Sequence, residues 1–130
     1  MEFWFHTKAI IYNAEWKILV QKRSDTGKWD LVGGKTEAPE RIEDAIVREI
    51  REETNITDIA HLKVIHLESS FSAEKNRYFV LILFSCSTMS WSSILSDEHQ
   101  AQKWVSKDEL FTIWLTDYLQ TSVESITSLI

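Results

Sequence analysis

Residues 29–56 read WDLVGGKTEAPERIEDAIVREIREETNI, a glycine pair followed by an acidic segment with helical periodicity. A helix turns about 100° per residue. With Glu49 placed at zero, Glu53 falls about 40° to one side and Glu52 about 60° to the other, so three carboxylates share one face. Ile42, Ala45, Ile46 and Ile50 fall in the same arc, while Arg41, Asp44, Arg48 and Arg51 lie towards the opposite side. An ordinary amphipathic helix groups its acids with that second set. Here the acids sit at the edge of the apolar face, where mutual repulsion and desolvation both oppose ionisation. A divalent cation would offset both effects. Oxygen ligands from carboxylates and a backbone carbonyl suit Mg²⁺, which also bridges substrate phosphates. The competing reading is a solvated helix laced with i, i+4 pairs, and a lone E-x-x-E-E would not decide against it.

The longer pattern does decide. From Gly34 the spacing runs five residues to Glu40, then seven to Arg48-Glu49, Ile50, Arg51, Glu52-Glu53, Thr54, Asn55 and Ile56. This resembles the Nudix box, G-x5-E-x7-R-E-U-x-E-E-x-G-U, where U is apolar. The one departure inside the box is Asn55, where the family has Gly. A helix often stops on a left-handed residue, and Asn is the usual second choice after Gly. At positions the strict motif does not fix, Val32 replaces a frequent Pro and Pro39 stands where relatives often have Gly. Pro39 is expected in the first helical turn, where a missing N–H is tolerated. Gly33 and Gly34 are expected to make a tight turn and to allow a close approach of backbone to metal or phosphate.

The resemblance implies an α+β fold, specifically the family's α/β/α sandwich with a mixed central sheet. It also implies hydrolysis of nucleoside diphosphates linked to another group. Carried over by position, Glu49, Glu52 and Glu53 would be metal carboxylates or include the general base. The carbonyl of Gly33 or Gly34 would be another ligand. Arg48 would orient a neighbouring glutamate by a charge-assisted hydrogen bond, and Glu40 would be a more distant supporting acid. Arg23 and Lys35 are the candidate phosphate contacts. Relatives often carry an acid in a later loop, which points here to Glu98, with Asp97 competing, as a further metal ligand or base. Mg²⁺ is the implied cofactor, with Mn²⁺ as a substitute. The chain looks most like the small MutT-like nucleoside triphosphate pyrophosphatases. Hydrolysis of ADP-ribose, nucleotide sugars or dinucleoside polyphosphates, and non-catalytic nucleotide binding, stay open as alternatives. Many relatives are homodimers, so a homodimer also stays open.

Composition agrees with these expectations. A 130-residue chain that is 44% hydrophobic reads as one domain, residues 1–130, with a sufficient core. A net charge of −6 disfavours general nucleic-acid binding. It does not disfavour a nucleotide substrate, because a bound metal inverts local charge. Cys86 is the only cysteine, so no internal disulfide forms. The start, MEFWFHTKAI, lacks a signal-like pattern. No run reaches the ~18 apolar residues of a membrane span. A soluble cytoplasmic protein is the simplest reading.

Outward from the box, Phe3 to Tyr12 and Trp16 to Arg23 read as a hairpin turned by NAE. Asp30 to Val32 reads as a short strand. Lys28 reads as surface solvation. Ala60 to Phe71 and Arg77 to Cys86 read as two further strands, the second a central one covered on both faces. Phe71, Tyr78 and Phe79 read as core. Ser87 to Gln102 reads as a loop, followed by a strand at Trp104-Val105. Ser106 and Glu109 form a capping box that starts the next helix. Tyr118, Leu119, Val123, Ile126 and Ile130 give a last helix its core face. His6, His61 and His66 read as strand residues without zinc-like spacing. His99 sits beside Glu98, and an approach to the site is the weaker of its two readings.

Overall fold

The structure, a computed structural model, describes residues 1–90, 99–113, 115–120 and 128. The expected Glu98 and Asp97, and most of the expected last helix, lie outside the described residues.

Strand β1 (Glu2–Tyr12) is the axis of the fold. It runs parallel to β6 (Arg77–Ser87) along its whole length, from Glu2 opposite Arg77 to Tyr12 opposite Ser87. Its other edge is shared. The middle, His6 to Ala9, pairs antiparallel with β4 (Val32–Lys35), and Tyr12 pairs with Ile18 of β2 (Ile18–Arg23). Strand β5 (Ala60–Ser72) flanks β6 at one side. Strands β3 (Trp29–Asp30) and β7 (His99–Val105) both pair with β2. Among the described residues the result is a mixed seven-stranded sheet.

Alternation along β1 divides the core between the two faces. Ala9 and Ile11 join Leu19, Val32, Ile82, Phe84 and Cys86 beneath helix α1 (Ile42–Thr54), which contributes Ile46 and Ile50. Ile10 joins Ile18, Val20, Leu31, Leu83 and Val105 on the opposite face. Leu110 of a short 3-10 helix (Asp108–Phe111), with Leu115 and Leu119, covers that second face. Helical layers on both faces of a mixed sheet are the α+β sandwich expected from the sequence. Burial pushes the Cys86 thiol up to about 12, and its side chain packs under α1. Among the described residues no helix is long and apolar enough to cross a membrane.

Several local expectations hold. Asn13 builds the first turn by accepting the backbone N–H groups of Glu15 and Lys17. Asn55 ends α1 in the left-handed conformation, at φ 60°. Ser106 and Glu109 bond each other's backbone N–H groups as a reciprocal cap, although the helix they open is 3-10. His6, His61 and His66 lie in strands.

Others need correction. Gly33 and Gly34 do not form a turn; they lie inside β4, opposite Lys8 and Thr7. Pro39 is not in the first helical turn. It follows a cis peptide in the approach to α1, whose N-cap is Arg41. The stretch 99–102, read as loop, is strand, because pairing with β2 supplies the backbone partners that its polar sequence does not advertise. Strand β6 is fully buried only from Ile82 to Cys86; its first half is partly exposed. Phe71 is 49% exposed rather than core, its ring tilted against Tyr78 across β5 and β6.

Candidate active site

Helix α1 is anchored by Ala45, Ile46 and Ile50, and that packing turns its last two turns towards β4. Glu53 is the deepest of the three box acids at 5% exposure. The Gly33 backbone N–H donates to its Oε2 at 3.0 Å, and Gln21 Nε2 donates to its Oε1 at 3.0 Å. Burial raises the Glu53 carboxyl, and nearby Glu49 adds to the rise. Lys8, Gln21 and the Gly33 N–H oppose it, and the balance is about 8. Glu49 is also raised, mainly by burial, with Arg48 opposing.

The glycines set the distance between helix and strand. Gly33 adopts φ 140°, and a Cβ there would lie 2.0 Å from the Thr7 carbonyl oxygen. A Cβ on Gly34 would lie 3.0 Å from Glu49 Oε1. The space in front of Gly34 is therefore bounded by a carboxylate and reachable by a small cation. The two carbonyls differ. Lys8 Nζ donates to Gly33 O at 3.1 Å, whereas Gly34 O has Thr7 Oγ1 at 3.4 Å.

Arg48 lies one turn before Glu52 on the helix. Its side chain folds back and is only 15% exposed. Nε and Nη2 form a fork on Glu40 at 2.6 and 3.1 Å. Nη1 reaches Glu52 at 3.0 Å and Glu49 at 3.1 Å. The fork holds the Glu40 carboxyl below the usual carboxylate range. Arg48 thus spans Glu40, Glu49 and Glu52 at once.

These residues line one cleft of about 490 Å³, which gathers Arg23, Gly33, Gly34, Lys35, Arg48, Glu49, Glu52 and Glu53. Every candidate metal, catalytic and phosphate-contact residue within the described region is in it. Arg23 is paired with Asp25 at 2.9 Å, and Lys35 Nζ rests 3.6 Å above the Trp4 ring. Lys28 bonds Asp117 at 2.7 Å. A larger cavity of about 860 Å³ adjoins, lined by Phe79, Leu81, Glu68 and Tyr118 among others. His6 and Lys8 border both spaces.

The sequence reading missed Lys8, Gln21, Asp30 and Gln102. Lys8 Nζ forms a buried ion pair with Asp30 at 2.9 Å, and Tyr118 OH also bonds Asp30. The available signal was a polar residue inside an apolar strand: Lys8 before AIIY and Gln21 after ILV. A buried polar side chain needs a partner, and single-strand patterning does not name it.

The donor set is oxygen-rich and acidic, as hard divalent cations require. Among the described residues no three His, Cys, Asp or Glu already converge as a closed metal cage. Arg48 Nη1 lies between Glu49 and Glu52 instead. The residues fit a cation in type and in access, with Glu52 at 56% side-chain exposure free to reorient.

The NUDIX domain family matches residues 5–126, and the chain belongs to that family. It is 33% identical over 92 residues to the nucleoside triphosphatase NudI of Salmonella paratyphi B, covering 65% of this chain and 65% of that protein. The chain thus spans somewhat under two thirds of that curated relative's length. Among solved structures, a MutT protein from Methanosarcina mazei Go1 matches with a TM-score of 0.82 at 25% identity, over 98% of this chain and 94% of that one. The E. coli ORF135 protein matches with a TM-score of 0.81 at 28% identity, over 99% and 91%.

Proposed function

We propose that residues 1–130 act as one Nudix hydrolase domain that cleaves the pyrophosphate bond of a nucleoside triphosphate or modified nucleotide with Mg²⁺. The observation that carries this reading is the joining of two unlike spaces at His6 and Lys8. One is an acidic cleft rimmed by Arg23 and Lys35, suited to a metal-bound polyphosphate. The other is larger and aromatic-walled, suited to a nucleoside. The name of one relative, a nucleoside triphosphatase, supports the same substrate class.

Glu49, Glu52 and Glu53 with the Gly34 carbonyl would hold the cation. Gly34 is preferred to Gly33 because the Lys8 ammonium already engages the Gly33 carbonyl. Bound Mg²⁺, or Mn²⁺ in its place, supplies charge neutralisation at the pyrophosphate and acidifies a water. A carboxylate of the glutamate set takes the proton of the attacking water, which adds to phosphorus in line with the departing phosphate oxygen. Arg48 fixes the spacing of Glu40, Glu49 and Glu52 through this step. Arg23 and Lys35 orient the polyphosphate from the rim. Positioning and electrostatic stabilisation supply most of the acceleration.

The test is phosphate or pyrophosphate release across nucleoside triphosphates, nucleotide sugars, ADP-ribose and dinucleoside polyphosphates with Mg²⁺, run beside Glu53→Gln. Turnover of one class, lost by a factor on the order of 10² or more in the variant, supports the reading. No turnover with Mg²⁺ or Mn²⁺ sinks it. Nucleotide binding without turnover would put a binding module in its place.

A further inference from the structure

Gln21 and Gln102 stand directly opposite each other on β2 and β7. Both share the sheet face that carries Leu19 and Trp104, and this is the face beneath α1. Gln21 is fully buried. Three hydrogen bonds join the pair to Glu53 in a closed ring. Gln21 Nε2 donates to Glu53 Oε1 at 3.0 Å. Gln102 Nε2 donates to Gln21 Oε1 at 2.6 Å. The same Gln102 nitrogen donates to the Glu53 main-chain carbonyl at 3.0 Å.

The ring has a direction. A glutamine amide presents a donor at one end and an acceptor at the other. With Glu53 ionised, as a cation ligand is, Gln21 turns its NH₂ towards it, because its carbonyl oxygen there would face a carboxylate oxygen. Gln102 enforces that orientation by placing a donor against the other end of the Gln21 amide. Gln102 is oriented in turn by the Glu53 carbonyl, one of the helix-terminal acceptors that lack an intrahelical partner. The sheet thereby grips both the backbone and the carboxylate of one residue.

We infer that the Gln102–Gln21 relay is a positioning device that fixes the Glu53 carboxylate in the orientation that binds the divalent cation. The inference rests on the reading that Glu53 is a metal ligand. The alternative is that the two amides merely satisfy each other in a buried place. The two differ in what Gln102→Glu does. A bare electrostatic view has an added acid near the site tighten cation binding. The relay has the opposite effect. The introduced carboxylate would offer only acceptors, the Gln21 amide would turn over to donate to it, and the Gln21 oxygen would then face Glu53.

The measurement is Mn²⁺ binding to the nucleotide-free protein, read from the free-ion paramagnetic resonance signal and by calorimetry. Gln102→Glu is expected to weaken Mn²⁺ by about 10-fold or more, in the range for partners that orient metal ligands. Gln102→Met keeps length without charge or donors, and it should lose affinity in the same direction. Gln21→Leu should do the same, and the Gln21→Leu/Gln102→Met double variant should be little worse than Gln21→Leu alone. Equal or tighter Mn²⁺ binding in Gln102→Glu, or wild-type binding in Gln102→Met, overturns the relay while leaving the metal site standing. Absence of Mn²⁺ binding by the wild-type protein overturns both the metal site and the relay.

Discussion

The Gly33 backbone N–H donates to Oε2 of Glu53 across 3.0 Å, tying strand β4 to the last turn of α1. That bond needs a side chain at neither glycine, yet the two positions exclude a side chain for different reasons. A Cβ at Gly33 meets the fixed Thr7 carbonyl at 2.0 Å, so Gly33→Ala should prevent folding. A Cβ at Gly34 meets the end of the Glu49 side chain at 3.0 Å, which can move. Gly34→Ala should therefore fold, melt within a few degrees of wild type and lose metal-dependent turnover. Circular dichroism melts beside activity would check the contrast. An active Gly34→Ala protein would contradict the crowding argument.

Stability should respond to pH with a definite sign. The folded Glu53 carboxyl sits at about 8 against an ordinary 4.5, and Glu49 is raised as well. Between those values the metal-free folded state holds protons that the unfolded state has released. The contribution is full below the ordinary carboxylate range and is lost as pH rises through about 8. Metal-free melting temperature should thus fall from pH 5 towards pH 9. The Mg²⁺-induced rise in melting temperature should grow over the same interval, because the cation favours the ionised carboxylates. A Mg²⁺ effect that shrinks with pH would refute the assignment.

Lys8 and Asp30 form an ion pair with side chains only 10% and 4% exposed. Removing one charge strands the other. Lys8→Met should cost about 3–5 kcal/mol. Combining it with Asp30→Asn should recover part of that loss, as read by urea denaturation at constant m-value. Additive losses would show that the two charges are not energetically coupled.

Arg48→Lys keeps the charge and removes the planar fork on Glu40. A single ammonium cannot span Glu40, Glu49 and Glu52 together. Turnover should fall on the order of 10-fold or more, with only a small change in melting temperature. Steady-state kinetics of Arg48→Lys against Glu40→Gln should show similar losses and a double variant little worse than either.

The helical face of Glu49, Glu52 and Glu53 was legible because the 3.6-residue period is local. So was the stop at Asn55, whose side chain tolerates the left-handed conformation. The glycine pair was legible as a close approach but not as a strand. Its hydrogen-bond partner, β1, lies some 25 residues earlier, and the pairing His6 to Ala9 against Lys35 to Val32 is a long-range fact. Strand β7 was missed from His99 to Gln102 for the same reason. Arg48 was legible as a partner of a neighbouring glutamate, but its simultaneous reach to Glu40, Glu49 and Glu52 was not, because a helical wheel positions Cβ atoms and not the ends of long side chains. Lys8 and Gln21 carried a visible signal, polarity within apolar runs, but Asp30 and Glu53 as their partners emerge only when the strands and helix are assembled.

Cys86 is the chain's only thiol, and it is 3% exposed beneath α1 with its proton held to about 12. A thiol in that state has almost no thiolate and no path to a reagent while the core is closed. Its labelling rate therefore times how often the sheet and helix part. The protein thus carries its own stopwatch for opening, set into the wall on which the box helix rests, and any ion that fastens that helix to β4 should slow the tick.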